Sequence, residues 1–154
     1  MNEMDYSIFI KKVAEQLRER GWNKIETYNE KIDLAATHDE TTALITTKRI
    51  VAFLNGDKLT KDEMDQVLES VHKARKKAAL PPLCPATNVL VFVFSNPHDV
   101  EWIIEKAKKR DIFTTNYTVS WVVDLNKRSL KKHKGVPIIN SGTTEIQATL
   151  GLTG

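Results

Sequence analysis

Apolar residues recur every three or four positions in three segments of the chain, a period that predicts amphipathic helices. The first predicted helix covers Tyr6–Arg20, between an aspartate N-cap and a glycine. The second starts at the capping box Thr60–Glu63 and ends at Pro81. The third starts behind an N-cap at Asn96, with Pro97 in its first position and basic residues near its end.

Runs of β-branched and apolar residues predict strands between these helices. Three strands precede the second helix, over Lys24–Tyr28, Lys31–Ala36 and Thr41–Phe53. The segment Asn88–Ser95 is apolar nearly throughout, which is typical of a central strand covered on both faces. A last strand is predicted over Tyr117–Leu125, followed by a basic stretch, a short apolar run and a tail rich in glycine and threonine.

The order of these elements is helix, three strands, helix, strand, helix, strand, which predicts an α/β fold. We expect a mixed sheet with helices on both faces and with antiparallel pairing in its first half. The chain has 154 residues, the length of one ordinary domain. We therefore expect a single domain over residues 1–154.

The composition is that of a globular protein, with 41% apolar and 28% charged residues. No stretch reaches the roughly 18 consecutive apolar residues of a membrane helix, so we expect no membrane partner. The one cysteine, Cys84, cannot form an internal disulfide, and the N-terminus lacks the pattern of a secretory signal. These features predict an intracellular, cytoplasmic protein.

Two predicted strands carry residues that suit phosphodiester chemistry. Hydrolysis of a phosphodiester needs carboxylates that hold Mg²⁺ and a cation that offsets the charge of the transition state. Alternate residues of a strand point to the same side, so an aspartate on one strand and an acid-x-lysine pair on the next can converge. The chain has Asp33 within Ile32–Ala35 and Lys48 at the end of Ala43–Lys48. We expect the two strands to direct both side chains into a common pocket.

Together with the first helix and Gly21–Trp22, these residues resemble the core of the PD-(D/E)XK nuclease superfamily, in particular its short Holliday-junction resolvases and Mrr-type restriction nucleases. The resemblance covers about Asp5–Asn96. It implies a restriction-endonuclease-like sheet with Asp33 and Lys48 as catalytic residues. It also implies a Mg²⁺ ion held by Asp33, with Glu15 of the first helix as an additional acid.

One metal-binding acid of that family is missing from the chain. Thr46 stands where the family carries Glu or Asp, and a neutral hydroxyl is a far weaker ligand of Mg²⁺ than a carboxylate. The resemblance therefore implies weak or absent Mg²⁺ binding, unless another acid substitutes. The acids that could substitute are Asp39 and Glu40, before the third strand, and Glu63 and Glu69, on the second helix, although the capping box already explains Glu63.

Two basic clusters are candidates for contact with phosphates. The first lies near the end of the second predicted helix and includes Lys73, Arg75 and Lys76. The second has five Lys or Arg residues in the eight positions of the segment 127–134. The candidate nucleic-acid-binding residues of this second cluster are Lys127, Arg128, Lys131 and Lys132. The net charge of +3 permits such binding without requiring it.

Three functions are compatible with these observations. The first is a nuclease-fold protein that binds nucleic acid, DNA rather than RNA, and that has lost or weakened its phosphodiesterase activity. The second is an active Mg²⁺-dependent DNA endonuclease with a relocated carboxylate. The third is a protein-interaction module on the same scaffold, because a fold does not fix a function. A homodimer is left open in each case.

Overall fold

The computed structural model describes residues 3–25, 30–42, 45–78, 86–106, 109–110, 116–132, 148 and 150–151. In this part of the chain, a mixed β-sheet carries helices on its two faces. The predicted α/β class is therefore confirmed. The short apolar run predicted at Val136–Ile139 lies outside the described residues.

The first helix, α1 (Glu3–Glu19), buries the apolar stripe that was predicted for it. Val13 and Leu17 are both 2% exposed and pack against the sheet. The helix begins before its predicted N-cap, because its first turn already includes Asp5. It ends near Gly21 as predicted, and the φ of 87° at this glycine is one that residues with a Cβ rarely adopt.

The second helix, α2 (Lys61–Ala78), begins at the predicted capping box. The Thr60 hydroxyl accepts a hydrogen bond from the Glu63 N–H at 3.2 Å, and the Glu63 carboxylate accepts one from the Thr60 N–H at 3.1 Å. These bonds satisfy N–H groups that a helix start otherwise leaves without a partner. The buried stripe of this helix consists of Met64, Val67, Leu68 and Val71.

The strands form one sheet in the order β1-β2-β3-β4-β6-β5, and β5 and β7 pair with different ends of β6. They are β1 (Asn23–Lys24), β2 (Ile32–Thr42), β3 (Ile45–Asn55), β4 (Ala86–Phe94), β5 (Lys109–Arg110), β6 (Asn116–Asp124) and β7 (Ser129–Lys131). The first three are antiparallel, as predicted, whereas β3, β4 and β6 are parallel. The parallel strands are joined by crossovers that contain α2 and a short helix, α3 (Glu101–Lys106).

The hairpin of β2 and β3 turns later than the sequence predicts. The predicted strands leave residues 37–40 as a connection, but β2 continues to Thr42 and β3 begins at Ile45. Within this continuation, Asp39 pairs with Lys48, and threonines of the two strands lie across from each other. Opposite charges and β-branched residues suit such cross-strand positions, so this polar segment forms a strand. Because the turn is displaced, the pairing of β2 residues with β3 residues is displaced along the whole hairpin.

Three segments beyond β4 also differ from the prediction. α3 begins at Glu101 rather than at Pro97, because Asp99 has a φ of 52°, outside the range of a right-handed helix. Lys109–Arg110, predicted at the end of this helix, form β5. Ser129–Lys131, predicted within a basic stretch, form β7.

Each face of the sheet has its own buried core, because consecutive residues of a strand alternate between the faces. The face covered by α1 includes Leu34, Ala36, Val51, Phe53, Val91 and Trp121. The face covered by α2 includes Ala35, Ala52, Leu54, Leu90, Phe92 and Val122. We term them the α1 face and the α2 face. Trp121 is fully buried in the core of the α1 face.

The carboxyl ends of the three parallel strands meet at one end of the sheet, which we term the carboxyl edge. β3, β4 and β6 end there at Asn55, Phe94 and Asp124. β2 runs in the opposite direction, so its first residues, including Asp33, lie at the same edge. Ligand sites of α/β proteins are usually built at such an edge.

Candidate functional site at the carboxyl edge

Asp33 and Lys48 are not brought together by the fold. Asp33 lies at the carboxyl edge, between the residues of β2 that pair with Phe53 and Leu54. Lys48 pairs with Asp39, six positions further along β2, which corresponds to roughly 20 Å at about 3.4 Å per residue. The predicted common pocket is therefore wrong. Its physical cause is the later turn of the hairpin, which shifts β3 relative to Asp33.

The same two residues also lie on opposite faces of the sheet. Asp33 contacts α1, because it accepts a hydrogen bond from the Tyr6 hydroxyl. Lys48 is separated by an even number of residues from Ala52 and Leu54, which pack on the α2 face. Its cross-strand neighbour Asp39 gives Lys48 a structural explanation that needs no substrate.

Asp33 lines a pocket of about 430 Å³ beside α1, which we term the Asp33 pocket. The Asp33 carboxylate accepts a hydrogen bond from the Tyr6 hydroxyl at 2.6 Å. Burial of Tyr6, followed by the hydrogen bond and charge of Asp33, raises the pKa of this phenol well above its usual value. The hydroxyl therefore stays a donor and orients the carboxylate. The other residues that line the pocket are Ser7, Ile10, Lys11, Asn55 and Lys58.

Two further acids of the carboxyl edge are engaged by neighbouring protein groups. Asp57 accepts hydrogen bonds from the Ser95 N–H at 3.0 Å and from the Ser95 hydroxyl at 2.6 Å. Asp124 accepts one from the Lys127 N–H at 3.0 Å. Asp57 thus links the segment after β3 to the segment after β4, and Asp124 holds the turn after β6.

Glu63 is held at the start of α2 by a cation as well as by its capping bonds. The Lys31 Nζ lies 2.9 Å from Glu63 Oε2. The hydrogen bond from Lys31, followed by those from Thr60, lowers the pKa of Glu63 to about 2. This carboxylate is ionised at neutral pH. It caps the start of α2 and forms an ion pair with Lys31 in the connection before β2.

The donor groups around Asp33 do not fit a Mg²⁺ site. Mg²⁺ is bound through carboxylates and water, but the residues that share the Asp33 pocket include Lys11 and Lys58 and no second acid. Glu15 lies nine residues after Tyr6 on α1, about 13 Å along the helix axis. In the described part of the chain, no three side chains of His, Cys, Asp or Glu are grouped as metal ligands.

Of the acids proposed as substitutes, Glu69 does not supply the missing ligand. Glu69 belongs to α2 and therefore lies on the face of the sheet opposite Asp33. The side chain of Glu40 lies outside the described part of the structure. Mg²⁺ binding thus stays a prediction without support from the geometry.

Basic residues gather around α1 and along the carboxyl edge. Lys11 and Lys58 line the Asp33 pocket, whereas Lys12 and Arg128 line a second pocket, of about 480 Å³, on the other side of α1. Lys11 and Lys12 are consecutive residues of the helix, so the two pockets are neighbours. Together with Lys127, these residues form what we term the basic band, and all five are exposed.

Lys127 and Arg128 belong to the tight turn between β6 and β7. The hydrogen bond from the Lys127 N–H to Asp124 fixes this turn. Arg128 has a φ of 50°, in the left-handed region that few residues with a long side chain adopt. Its side chain lines the second pocket together with residues of α1.

Lys131 and Lys132, also predicted to bind nucleic acid, have intramolecular partners. The Lys131 Nζ lies 3.0 Å from Glu101 Oε1, and this hydrogen bond lowers the pKa of Glu101. The Lys132 Nζ lies 6.0 Å from the centre of the Trp121 ring, at the limit of a cation–π contact. Neither residue belongs to the basic band.

The first basic cluster lies far from the second. Lys73, Arg75 and Lys76 are in the last turns of α2, which leads from the carboxyl edge back to the start of β4. The 18 residues of this helix span about 27 Å. The two clusters are therefore not combined in one surface, and the side chains of the first lie outside the described residues.

A buried arginine marks the end of the hairpin opposite the carboxyl edge. Arg49 is 5% exposed, and its Nη2 donates a hydrogen bond to His38 Nδ1 at 3.2 Å. The His38 ring lies 5.5 Å from that of Trp22, which packs at the end of α1. This cluster connects the hairpin to the helix.

Sequence reasoning missed Lys11, Lys12 and Lys58 as members of a site. In the sequence each of them is an ordinary lysine, and 47 positions separate Lys11 from Lys58. A usable signal was present, because the predicted parallel strands bring the segments after Asn55 and Asp124 to one edge. What the sequence did not indicate was that α1 would cross between them.

Among the described helices, none combines the length and the apolar character that crossing a membrane requires. Comparisons of the chain with protein-family models, with curated proteins and with solved structures find no match.

Proposed function

We propose that this protein binds nucleic acid, DNA rather than RNA, through the basic band, on a scaffold related to the PD-(D/E)XK nucleases. We further propose that its phosphodiesterase activity is weak or lost. The observation that carries the proposal is the concentration of five exposed cations in the basic band, which outnumber the two acids, Asp33 and Glu15, that line the same two pockets.

The arrangement of the cations suits a phosphate backbone. Lys11 with Lys58 and Lys12 with Arg128 lie on two sides of a helix that is about 10–12 Å wide with its side chains. This separation is similar to the width of a groove of duplex DNA, about 12 Å for the major groove. Contacts of this kind provide affinity that does not depend on sequence and that falls as salt rises.

The proposed kinship with nucleases rests on the order of elements and on the position of Asp33. The order from α1 through β4 is the one that the resemblance implies, and Asp33 is the second residue of β2. Lys48 and Thr46 lie at the other end of the hairpin, which favours the loss of cleavage over its retention. A scaffold that keeps phosphate affinity without a metal site would hold DNA and leave it intact.

A salt titration of duplex binding, followed by fluorescence anisotropy, tests the proposal. We expect a steep loss of affinity as salt rises. In the double variant Lys12→Ala/Arg128→Ala, the slope of log K against log salt should fall by about 1.8, at about 0.9 per lost phosphate contact. The matched control Lys24→Ala, an exposed lysine of β1 outside the band, should leave the slope unchanged.

Two results would contradict the proposal. Absent or salt-independent binding of the wild-type protein would remove its DNA-binding part. Cleavage of plasmid or branched DNA with Mg²⁺ or Mn²⁺, abolished by Asp33→Ala, would show that the activity was retained.

A further inference from the structure

The Asp33 pocket brings a carboxylate and two lysines into one cavity. A carboxylate accepts hydrogen bonds and repels phosphate, whereas lysines donate and attract phosphate. The volume of about 430 Å³ is in the range of pockets that hold a small ligand. A ligand for this pocket should therefore carry a hydroxyl or amino group at one end and an anion at the other.

We propose that the Asp33 pocket receives the terminal nucleotide of a strand that ends in a free 3′-hydroxyl, which rests on the proposed binding of nucleic acid. The hydroxyl donates to Asp33, and the last phosphate of the strand contacts Lys11 and Lys58. Tyr6 keeps the carboxylate in position through its 2.6 Å hydrogen bond, and Ile10 provides an apolar wall for the sugar.

The charge of Asp33 distinguishes a strand end from the interior of a strand. An internal nucleotide has a phosphate on both sides of its sugar, so one of them would approach the carboxylate. A 3′-terminal nucleotide has a phosphate on one side and a neutral donor on the other. Like charges in contact are costly, so the pocket favours the end.

The experiment compares three forms of one short duplex, in which every 5′ end carries a phosphate so that only a 3′ end can offer a hydroxyl: 3′-hydroxyl ends, 3′-phosphate ends and a closed dumbbell without ends. We expect the wild-type protein to bind the 3′-hydroxyl form about tenfold more tightly than the 3′-phosphate form, which corresponds to one unfavourable contact. The variant Asp33→Asn keeps the size of the side chain and an acceptor for Tyr6 but removes the charge. It should reduce the ratio to within about twofold.

Asp39→Asn is the matched control, because Asp39 is an exposed aspartate at the other end of the same strand. This variant should keep the tenfold ratio. The variant Tyr6→Phe, which leaves the charge but removes the hydrogen bond that orients it, should give an intermediate ratio.

The inference is overturned if the wild-type protein binds both ends equally, or if Asp33→Asn keeps the full preference. Salt-sensitive binding of the dumbbell without any preference among the ends would overturn this inference and leave the proposed function intact. Failure of all three duplex forms to bind would overturn both.

Discussion

The turn end of the β2–β3 hairpin and the carboxyl edge of the sheet use their charged residues differently. At the end opposite the carboxyl edge, Arg49 is buried against His38, and Lys48 lies across from Asp39. Charges there complement one another within the hairpin. At the carboxyl edge, Asp57 and Asp124 fasten loops while lysines and an arginine project outwards. At one end the charged residues face each other within the hairpin, and at the other the cations of the basic band are exposed.

Reversing charge at the two ends should give the largest difference between them. The variant Lys11→Glu/Arg128→Glu replaces two cations of the basic band by anions and should weaken DNA binding by about 100-fold at low salt. The equivalent variant at the opposite end, Lys24→Glu/Lys48→Glu, should change affinity by less than about threefold. Anisotropy titrations of the same duplex measure both, and equal losses would break the comparison.

Glycine substitutions test how tightly each end is built. A Cβ at Gly56 would lie 2.5 Å from ring atoms of Phe94, so Gly56→Ala should lower the free energy of unfolding by about 1–3 kcal/mol. At Gly21 a Cβ would make only an ordinary contact, 3.8 Å from His38 Nε2, so mainly the positive φ opposes a side chain and Gly21→Ala should cost about 1 kcal/mol. Urea unfolding followed by circular dichroism gives both values. A larger loss at Gly21 would show that the carboxyl edge tolerates displacement of the Phe94 ring.

Two exposed aspartates, Asp57 at the carboxyl edge and Asp39 near the hairpin turn, extend the comparison to stability. Asp57→Ala removes two hydrogen bonds to Ser95 that join the ends of β3 and β4, and it should cost about 1–2 kcal/mol of unfolding free energy. Asp39→Ala, in an exposed strand position, should cost less than about 0.5 kcal/mol. The same urea experiment compares them. Equal costs would argue that the Ser95 contact contributes little.

The ion pair between Lys31 and Glu63 should give the smallest effect, visible as a dependence on pH. The folded state lowers the pKa of Glu63 from 4.5 to about 2, so its stabilisation is present above pH 4.5 and is lost as the pH falls towards 2. The thermal unfolding midpoint of the variant Glu63→Gln should be lower than that of the wild type at neutral pH. The two midpoints should approach each other near pH 2. A difference that stays constant over this pH range would exclude the ionised carboxylate as its cause.

Short sequence signals predicted the ends of the first helices and the position of β4. The capping box at Thr60 and Glu63, the glycine after α1 and the apolar strand β4 are all encoded within a few adjacent residues. The class of fold follows from the order of such elements. The start of α3 was missed because the positive φ of Asp99 has no sequence signal as strong as a glycine.

The predicted site of Asp33 and Lys48 required one particular register between β2 and β3, and the pairing of the two whole strands sets that register. The polar residues 37–42 have the composition of a turn, but the partner strand offers Lys48 and Arg49 across from them. Only the pairing of both strands decides between a turn and a continuation. A shift of the turn moved Asp33 away from Lys48 and towards Asn55 and Lys58, so the error in the site follows directly from the error in the hairpin.

The mixed strand order has a consequence for how the chain folds. The β2–β3 hairpin joins residues close in sequence, whereas the parallel pairs close only after crossovers of about 20–30 residues, and such long closures are slow. Pulse-labelling hydrogen exchange should therefore show early protection of hairpin amides and late protection of β6. Since the turn with Arg128 follows β6, the basic band should be completed only at the end of folding.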